Sequence, residues 1–251
     1  MTKRAICVGA LFMAMAGAGL QAGTLILGQP PVQATGNCDP FGCPAFFGLG
    51  TYQQVYTESA FPGTITIDSL AFYQGQILTN GGVPAGGTYT LGFSYTSDAP
   101  GNLSLANPND NIGTGSETFY TGTLPPLTSD GGTSNLLLFS GTPFAYDPAD
   151  GNLLLTVSVT GATNSAPFLY LDEAQCGPTT VCPLGDSVVS SNAYFGTYKG
   201  APISGGNDIG GLVSVFAYTV SSGNPTPEPA SVLLVLAGIG LIGYYRRSRT
   251  S

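Results

Sequence analysis

The chain has 251 residues, 43% of them apolar, with 13 Tyr and 13 Phe. That is room for one large domain with a sizeable core, and it does not fit ordinary disorder. Charged residues make up only 8%, while Gly and Pro number 37 and 19, a composition of turn-rich β-structure rather than of a typical charged surface. The chain has no His, which excludes Ser-His-Asp and Cys-His triads and His-containing zinc sites. Its net charge of −8 and pI near 4.1 argue against nucleic acid as a partner.

At the N-terminus, Lys3 and Arg4 precede the apolar run Ala5–Leu20, which closes on small residues before Gln21-Ala22. A basic n-region, a short apolar helix and a small residue before the cut predict a secretory signal peptide over residues 1–22, cleaved after Ala22.

Residues 23–222 read as a single β-sandwich of jelly-roll type, an all-β ectodomain. Tyr89, Leu91, Phe93 and Tyr95 alternate with Thr and Gly, and Leu153, Leu155, Val157 and Val159 alternate with partners of the opposite face, each with the period of two of a half-buried strand. Ile65 and Ile67 share one phase and Leu70 and Phe72 the other, so a bulge is expected at Asp68 and Ser69. Gly211–Val220 is apolar on both faces and is expected to be central in a sheet. Shorter strands are expected near 52–57, 117–121, 135–139, 166–171 and 188–196. Turn clusters are expected at 80–82, 98–101, 129–132, 147–151 and 204–208, and residues 97–116 form the expected long surface loop.

With Cys7 in the signal peptide, Cys38, Cys43, Cys176 and Cys182 remain. An even count in an exported chain points to disulfides. Three connectivities are open, with Cys38–Cys43 and Cys176–Cys182 preferred because each pair lies in one short loop; a four-thiolate zinc site is the alternative. Five of the six cations lie in the two ends, leaving Lys199 against thirteen of the fourteen acids in residues 23–224. Such a body repels polyanions and favours divalent cations or basic partners. Asp147, Asp150 and Asn152 around Gly151 could offer oxygen ligands to calcium, as could Asn107, Asn109, Asp110 and Asn111, or Asn207 with Asp208; the same residues are ordinary turn formers. Asp172 and Glu173 are adjacent on an expected strand, face opposite ways and make a poor catalytic pair. Tyr52, Tyr56 and Tyr120 are candidates for stacking on sugars, although strand aromatics generally serve the core.

The C-terminal end holds a Pro-rich tether, residues 223–229, with Pro227-Glu228-Pro229, then an apolar run over 230–245, then a basic tail, 246–251, with Arg246, Arg247 and Arg249. Sixteen apolar residues span about 24 Å as a helix, and the arginines beyond them act as a stop-transfer signal that keeps this end in the cytoplasm. The run is therefore expected to be a transmembrane helix.

Pro227-Glu228-Pro229, the Gly-interrupted helix and the terminal arginines together resemble the PEP-CTERM sorting signal of exported proteins in Gram-negative bacteria. The resemblance implies recognition by an exosortase, a membrane-anchored precursor, and display or release of the body at the cell surface, commonly beside extracellular polysaccharide or biofilm. Gly86–Thr90, Glu117–Gly122 and Thr142–Leu155 resemble a recurrent ectodomain of such proteins. The expected function is a non-enzymatic surface or matrix role without a cofactor, calcium apart. The alternatives are a carbohydrate-binding module or, further off, a glycoside hydrolase or lyase.

Overall fold

A computed structural model describes residues 21–28, 36–45, 48–75, 82–131, 134–176, 190–198 and 201–220. Ala22–Ser221 forms one compact unit. The described residues are nearly all β. They run β1 (Gln21–Leu27), β2 (Gly36–Asn37), β3 (Leu49–Tyr56), β4 (Ile65–Tyr73), β5 (Gly86–Thr96), β6 (Glu117–Gly122), β7 (Leu127–Ser129), β8 (Asn135–Tyr146), β9 (Asn152–Thr163), β10 (Leu171–Cys176), β11 (Ser190–Tyr198), β12 (Ala201–Leu212) and β13 (Ser214–Val220). Short 3-10 turns lie at Glu58–Ala60, Pro108–Asn111 and Pro148–Asp150. None of the described helices is long and apolar enough to cross a membrane; the expected signal peptide and C-terminal helix lie outside the described residues, apart from Gln21 and Ala22 in β1.

Two sheets form, ordered β1-β13-β4-β8-β7 and β2-β10-β12-β11-β3-β9-β5-β6. Eight strands keep the interleaved order of a jelly roll, β1-β13-β4-β8 facing β3-β9-β5-β6; β10, β11 and β12 extend the second sheet past β3. One apolar core lies between the sheets. It takes Ile65, Ile67, Leu70 and Phe72 of β4, Phe139, Phe144 and Tyr146 of β8 and Phe216 of β13 from one side, and Tyr52 and Tyr56 of β3, Leu91 and Phe93 of β5 and Leu153, Leu155 and Val157 of β9 from the other. Aromatic rings meet across the gap, Phe93 against Phe144 at 5.4 Å and Tyr56 edge-on to Phe216 at 5.1 Å, the geometries that the ring quadrupole favours.

The bulge expected in β4 is present. Its register slips between Ile67 and Ser69 against β8, and between Ala217 and Tyr218 of β13 at the same level. One extra residue at Asp68 moves the inward phase from Ile65 and Ile67 to Leu70 and Phe72, so all four reach the core. The strands of β5 and β9 also follow their alternation, and Leu154, on the far face of β9, is fully buried too. It packs with Val55, Ala193 and Phe195 under Leu103 of the 97–116 loop. That loop is a lid over the outer face of the second sheet. Asn111 fixes it by donating to Gln53 Oε1 at 2.8 Å, while Gln53 Nε2 donates to the Pro108 carbonyl at 3.0 Å.

Three expectations are corrected. Gly211–Val220 is not one strand: Gly211 and Leu212 end β12 in one sheet, and β13 begins at Ser214 in the other. The Ser204–Asp208 cluster, read as a turn, lies inside β12, where Ser204, Gly205 and Gly206 pair with β11 and the register shifts beyond them; the Tyr194 ring against Gly205 occupies the space a side chain there would need. The strand expected at 166–171 starts only at Leu171.

The crossing from β12 to β13 is held by buried polar groups. Gln54 Nε2 donates to the Leu212 carbonyl at 2.9 Å, and the Leu212 N–H donates to Gln54 Oε1 at 3.0 Å. Tyr56 and Ser214 share a hydroxyl hydrogen bond of 2.7 Å, and Ser214 Oγ donates to the Leu212 carbonyl. Gln54 and Ser214 are fully buried, so the main-chain groups here have no water to fall back on. Replacing Gln54 by Leu leaves two buried main-chain groups without that partner; a loss of about 2–4 kcal/mol is expected in urea unfolding, against less than about 0.5 kcal/mol for an exposed change such as Thr128→Ala.

One end of the sandwich is closed by a knuckle, Cys38–Cys43, joined by a disulfide with Cα atoms 5.3 Å apart. It drives Phe41 into the core against Phe72, Tyr89 and Phe139. Asp39 of the knuckle is 8% exposed, and burial, aided by the charge of Glu173, raises its carboxyl pKa to about 6. A folded-state pKa above the unfolded 3.8 means that the fold takes up a proton between those values, so this group's contribution to stability improves as pH falls from about 7 to below 4. Asp39→Asn is therefore expected to stabilise the protein at pH 7, by on the order of 2 kcal/mol, with the difference from wild type vanishing near pH 4. Paired thermal melts across that range check it; a difference that does not change with pH contradicts it.

Candidate functional site

The residues that carry chemistry divide between the two ends of the sandwich. A Cβ at Gly23 would meet the Tyr218 ring, and one at Gly28 would meet Val213; β1 therefore runs antiparallel to β13, with its start beside the end of β13. Val220 pairs with Ile65 and Ile65 with Tyr146; Tyr56 pairs with Leu153, and Thr96 with Asn152. The chain thus enters and leaves the body at the same end, where β4 and β9 begin and β3, β5 and β8 finish. The connections β3–β4, β5–β6 and β8–β9 close that end.

These three connections are knitted into a plate. Asn152 Oδ1 accepts from the Glu58 N–H at 2.9 Å, and Asn152 Nδ2 donates to the Asp98 carbonyl at 2.9 Å, so one side chain ties all three connections. The Asp147 N–H donates to Tyr95 Oη at 2.9 Å, and Tyr146 Oη donates to the Gly151 carbonyl at 2.8 Å. Phe61 packs beneath, on Tyr146 at 4.8 Å and Phe216 at 5.7 Å. Burial and the neighbouring acids Glu58 and Asp147 raise the pKa of the Tyr146 phenol, which stays neutral.

The first group of calcium candidates, Asp147, Asp150 and Asn152, lies here, and two of its side chains have structural duties. Asp147 caps the turn at Pro148–Asp150 by accepting from the Ala149 N–H at 3.0 Å, Asn152 makes the bonds above, and Asp150 is exposed. In the second group, Asn107 caps the turn at Pro108–Asn111 by accepting from the Asn109 N–H at 3.1 Å, while the buried Asn111 pins the lid. These are the Asx-turn uses of the residue types. Asn207 and Asp208 lie within β12, the strand in which the sequence led us to expect a turn.

At the opposite end sit the knuckle, the buried Asp172 and the half-buried Glu173. Cys38, Asp39 and Cys43 bring three potential ligand atoms within 4.8 Å of one another, but the two sulfurs are joined to each other and offer no thiolate. Cys176 ends β10; Cys182, and with it the second expected disulfide, lies outside the described residues. Tyr52 and Tyr56 are core residues, 1% and 0% exposed, and cannot stack on a sugar from the surface. Tyr120 packs against the core, and its hydroxyl donates to the Thr123 carbonyl. Sequence reasoning missed the Asn152 tie; its only trace was an amide side chain placed directly after a Pro-Ala-Asp-Gly turn, at the start of an apolar strand.

The described residues hold twelve of the chain's Asp and Glu residues and none of its Lys or Arg. Glu58, Asp98, Asp147 and Asp150 belong to the connections at the plate end, whereas Asp110 lies on the lid over the second sheet. Pro227, Glu228, Pro229, Arg246, Arg247 and Arg249 lie beyond β13, outside the described residues.

Comparison with curated proteins and with solved structures finds no match. A protein-family comparison matches residues 225–249 to the PEP-CTERM protein-sorting motif, with four residues between its start and the end of β13 at Val220. The matched stretch contains the Pro-Glu-Pro triplet, the whole apolar run and all three terminal arginines. The chain carries a PEP-CTERM sorting signal, the mark of an exported protein that is sorted by an exosortase.

Proposed function

We propose that the protein is a surface or matrix component whose β-sandwich is made as a membrane-anchored precursor, cut by an exosortase near Pro227-Glu228-Pro229, and then displayed or released to act without catalysis. In this reading the signal peptide and the 230–245 helix are used only during export and sorting, and Arg246, Arg247 and Arg249 hold the tail in the cytoplasm until the cut is made. The body contacts extracellular polymer, polysaccharide in the first instance, or neighbouring proteins.

The single observation that carries the reading is the sorting motif placed directly after the last strand. A cut at or beyond residue 225 removes none of the described strands of the sandwich. The lack of His in the chain supports a non-catalytic role, because the commonest general base is missing. The commitment of Tyr52, Tyr56 and Tyr120 to packing weighs against a stacking platform built from those residues, so a glycan contact in this reading relies on polar groups and cation bridges.

Replacing Pro227, Glu228 and Pro229 together by Ala in the full chain is expected to leave the precursor uncut and in the membrane fraction of its host. Unchanged processing and release would overturn the sorting assignment. The matrix role is checked by co-sedimentation of the processed protein with the host's extracellular polysaccharide, in calcium and in EDTA. Saturable binding is the expected result; no binding in either condition removes polysaccharide as the partner.

A further inference from the structure

We infer that the free edge of β1 is an interface for a second copy of this chain, the two β1 strands pairing antiparallel about a two-fold axis so that two five-stranded sheets join into one. The inference stands apart from the sorting reading, because it concerns the body alone and uses residues that follow the expected signal-peptide cut.

A strand at the end of a sheet offers a row of main-chain N–H and C=O groups to any strand that meets it. Native edges are blunted by brevity, by charge or proline, or by cover. Three of the four sheet ends among the described residues are blunted in this way. β2 has two residues, and β7 has three with Asp130 directly after them. β6 carries Glu117, and its Phe119 carbonyl lies against Gly141 of β8. β1 is the exception. It ends the first sheet, and among the described residues it has a strand on one side only, that of β13. Gln21–Leu27 contains no charged residue and no proline.

The side chains say which strand fits. Leu25 and Leu27 face the core, so Ile26 projects from the outer face of the sheet, where it is 39% exposed. The contacts of Gly23 with Tyr218 and of Gly28 with Val213 put Ile26 level with Val215. Val215 pairs with Ala71, and Ala71 with Leu138. All of these lie on the outer face, since their neighbours Phe216, Leu70, Phe72, Leu137 and Phe139 fill the core. An apolar row therefore crosses four strands and stops on Ile26, at the open edge. Setting Ile26 opposite its own counterpart carries that row without a break into the sheet of the second copy, and it places Leu25 opposite Leu27 of the second copy. Apolar pairs directly across two strands are the unit from which a sheet gains stability. Charge selects the same contact. The described body holds twelve acids and no Lys or Arg, so two copies repel each other over their acidic surfaces, while β1 and the apolar row bring no charge to the interface.

Sedimentation velocity and hydrogen exchange on the mature protein purified from its host test this. A ladder over Thr24–Gly28 is shorter than a standard interface requires, so a weak, reversible dimer is expected. Its formation is expected to tighten as salt rises, because salt screens the repulsion between the acidic bodies. Main-chain protection that grows with protein concentration is expected at Thr24–Gly28. Ile26→Asp is expected to raise the dimer dissociation constant about tenfold or more, since it sets like charges opposite each other, with little change in melting temperature because the side chain is exposed. Thr128→Asp, exposed on β7 at the other end of the same sheet, is expected to leave that constant unchanged. A protein that stays monomeric up to about 1 mM, a dimer whose concentration-dependent protection lies outside β1, or equal effects of the two substitutions would overturn the inference. So would a dimer that EDTA dissociates, because its contact would rest on cations held between acidic loops.

Discussion

The side-chain amide of Gln54 takes both main-chain groups of Leu212 where the chain leaves one sheet for the other. A jelly roll puts its last strand inside the first sheet, here β13 between β1 and β4. To get there the chain crosses the core, where no water can satisfy its N–H and C=O groups. Gln54, Tyr56 and Ser214 replace that water, and all three are buried where the crossing occurs. With β13 seated, Phe216 meets Tyr56 and Phe61 edge to face, joining the aromatic rings of the two sheets.

The same strand brings the two ends of the described body together: β13 lies beside β1 and runs antiparallel to it, so β1 starts and β13 finishes at one end of the sandwich. The last described strand ends at Val220 and the motif begins at 225, so the sorting motif and the described fold use separate stretches of the chain. The composition follows this split: five of the six cations stand in the two ends of the chain, and thirteen of the fourteen acids stand in the body.

Much of this was legible in the sequence where one local rule applied without competition. Period-two alternation located β5 and β9, and the phase slip between Ile67 and Leu70 located a bulge that the register confirms. Local rules failed where a distant partner decided the outcome. Ser204-Gly205-Gly206-Asn207-Asp208 has the composition of a turn, yet β11 across from it supplies ring contacts and pairing that make it a strand. The apolar run Gly211–Val220 carries no sign of the switch at Val213, because Gln54, more than 150 residues earlier, makes the switch possible. From residue type alone the acidic loops could be either ligand sets or ordinary turns. Only the fold shows that Asn152 and Asn111 hold connections together with both ends of their amides. The sorting signal needed no fold at all, since its triplet, apolar run and arginines are recognised as a linear string.

The central claim is that the fold and the sorting signal are separate, with the boundary between Val220 and Pro227. Intact-mass spectrometry of the mature protein recovered from the host's surface or medium tests it most directly. The account predicts a species that begins at Gly23, keeps every residue through Val220, and has lost the arginine tail. A mature protein that retains residues 230–251, or one cut within β13, would contradict it.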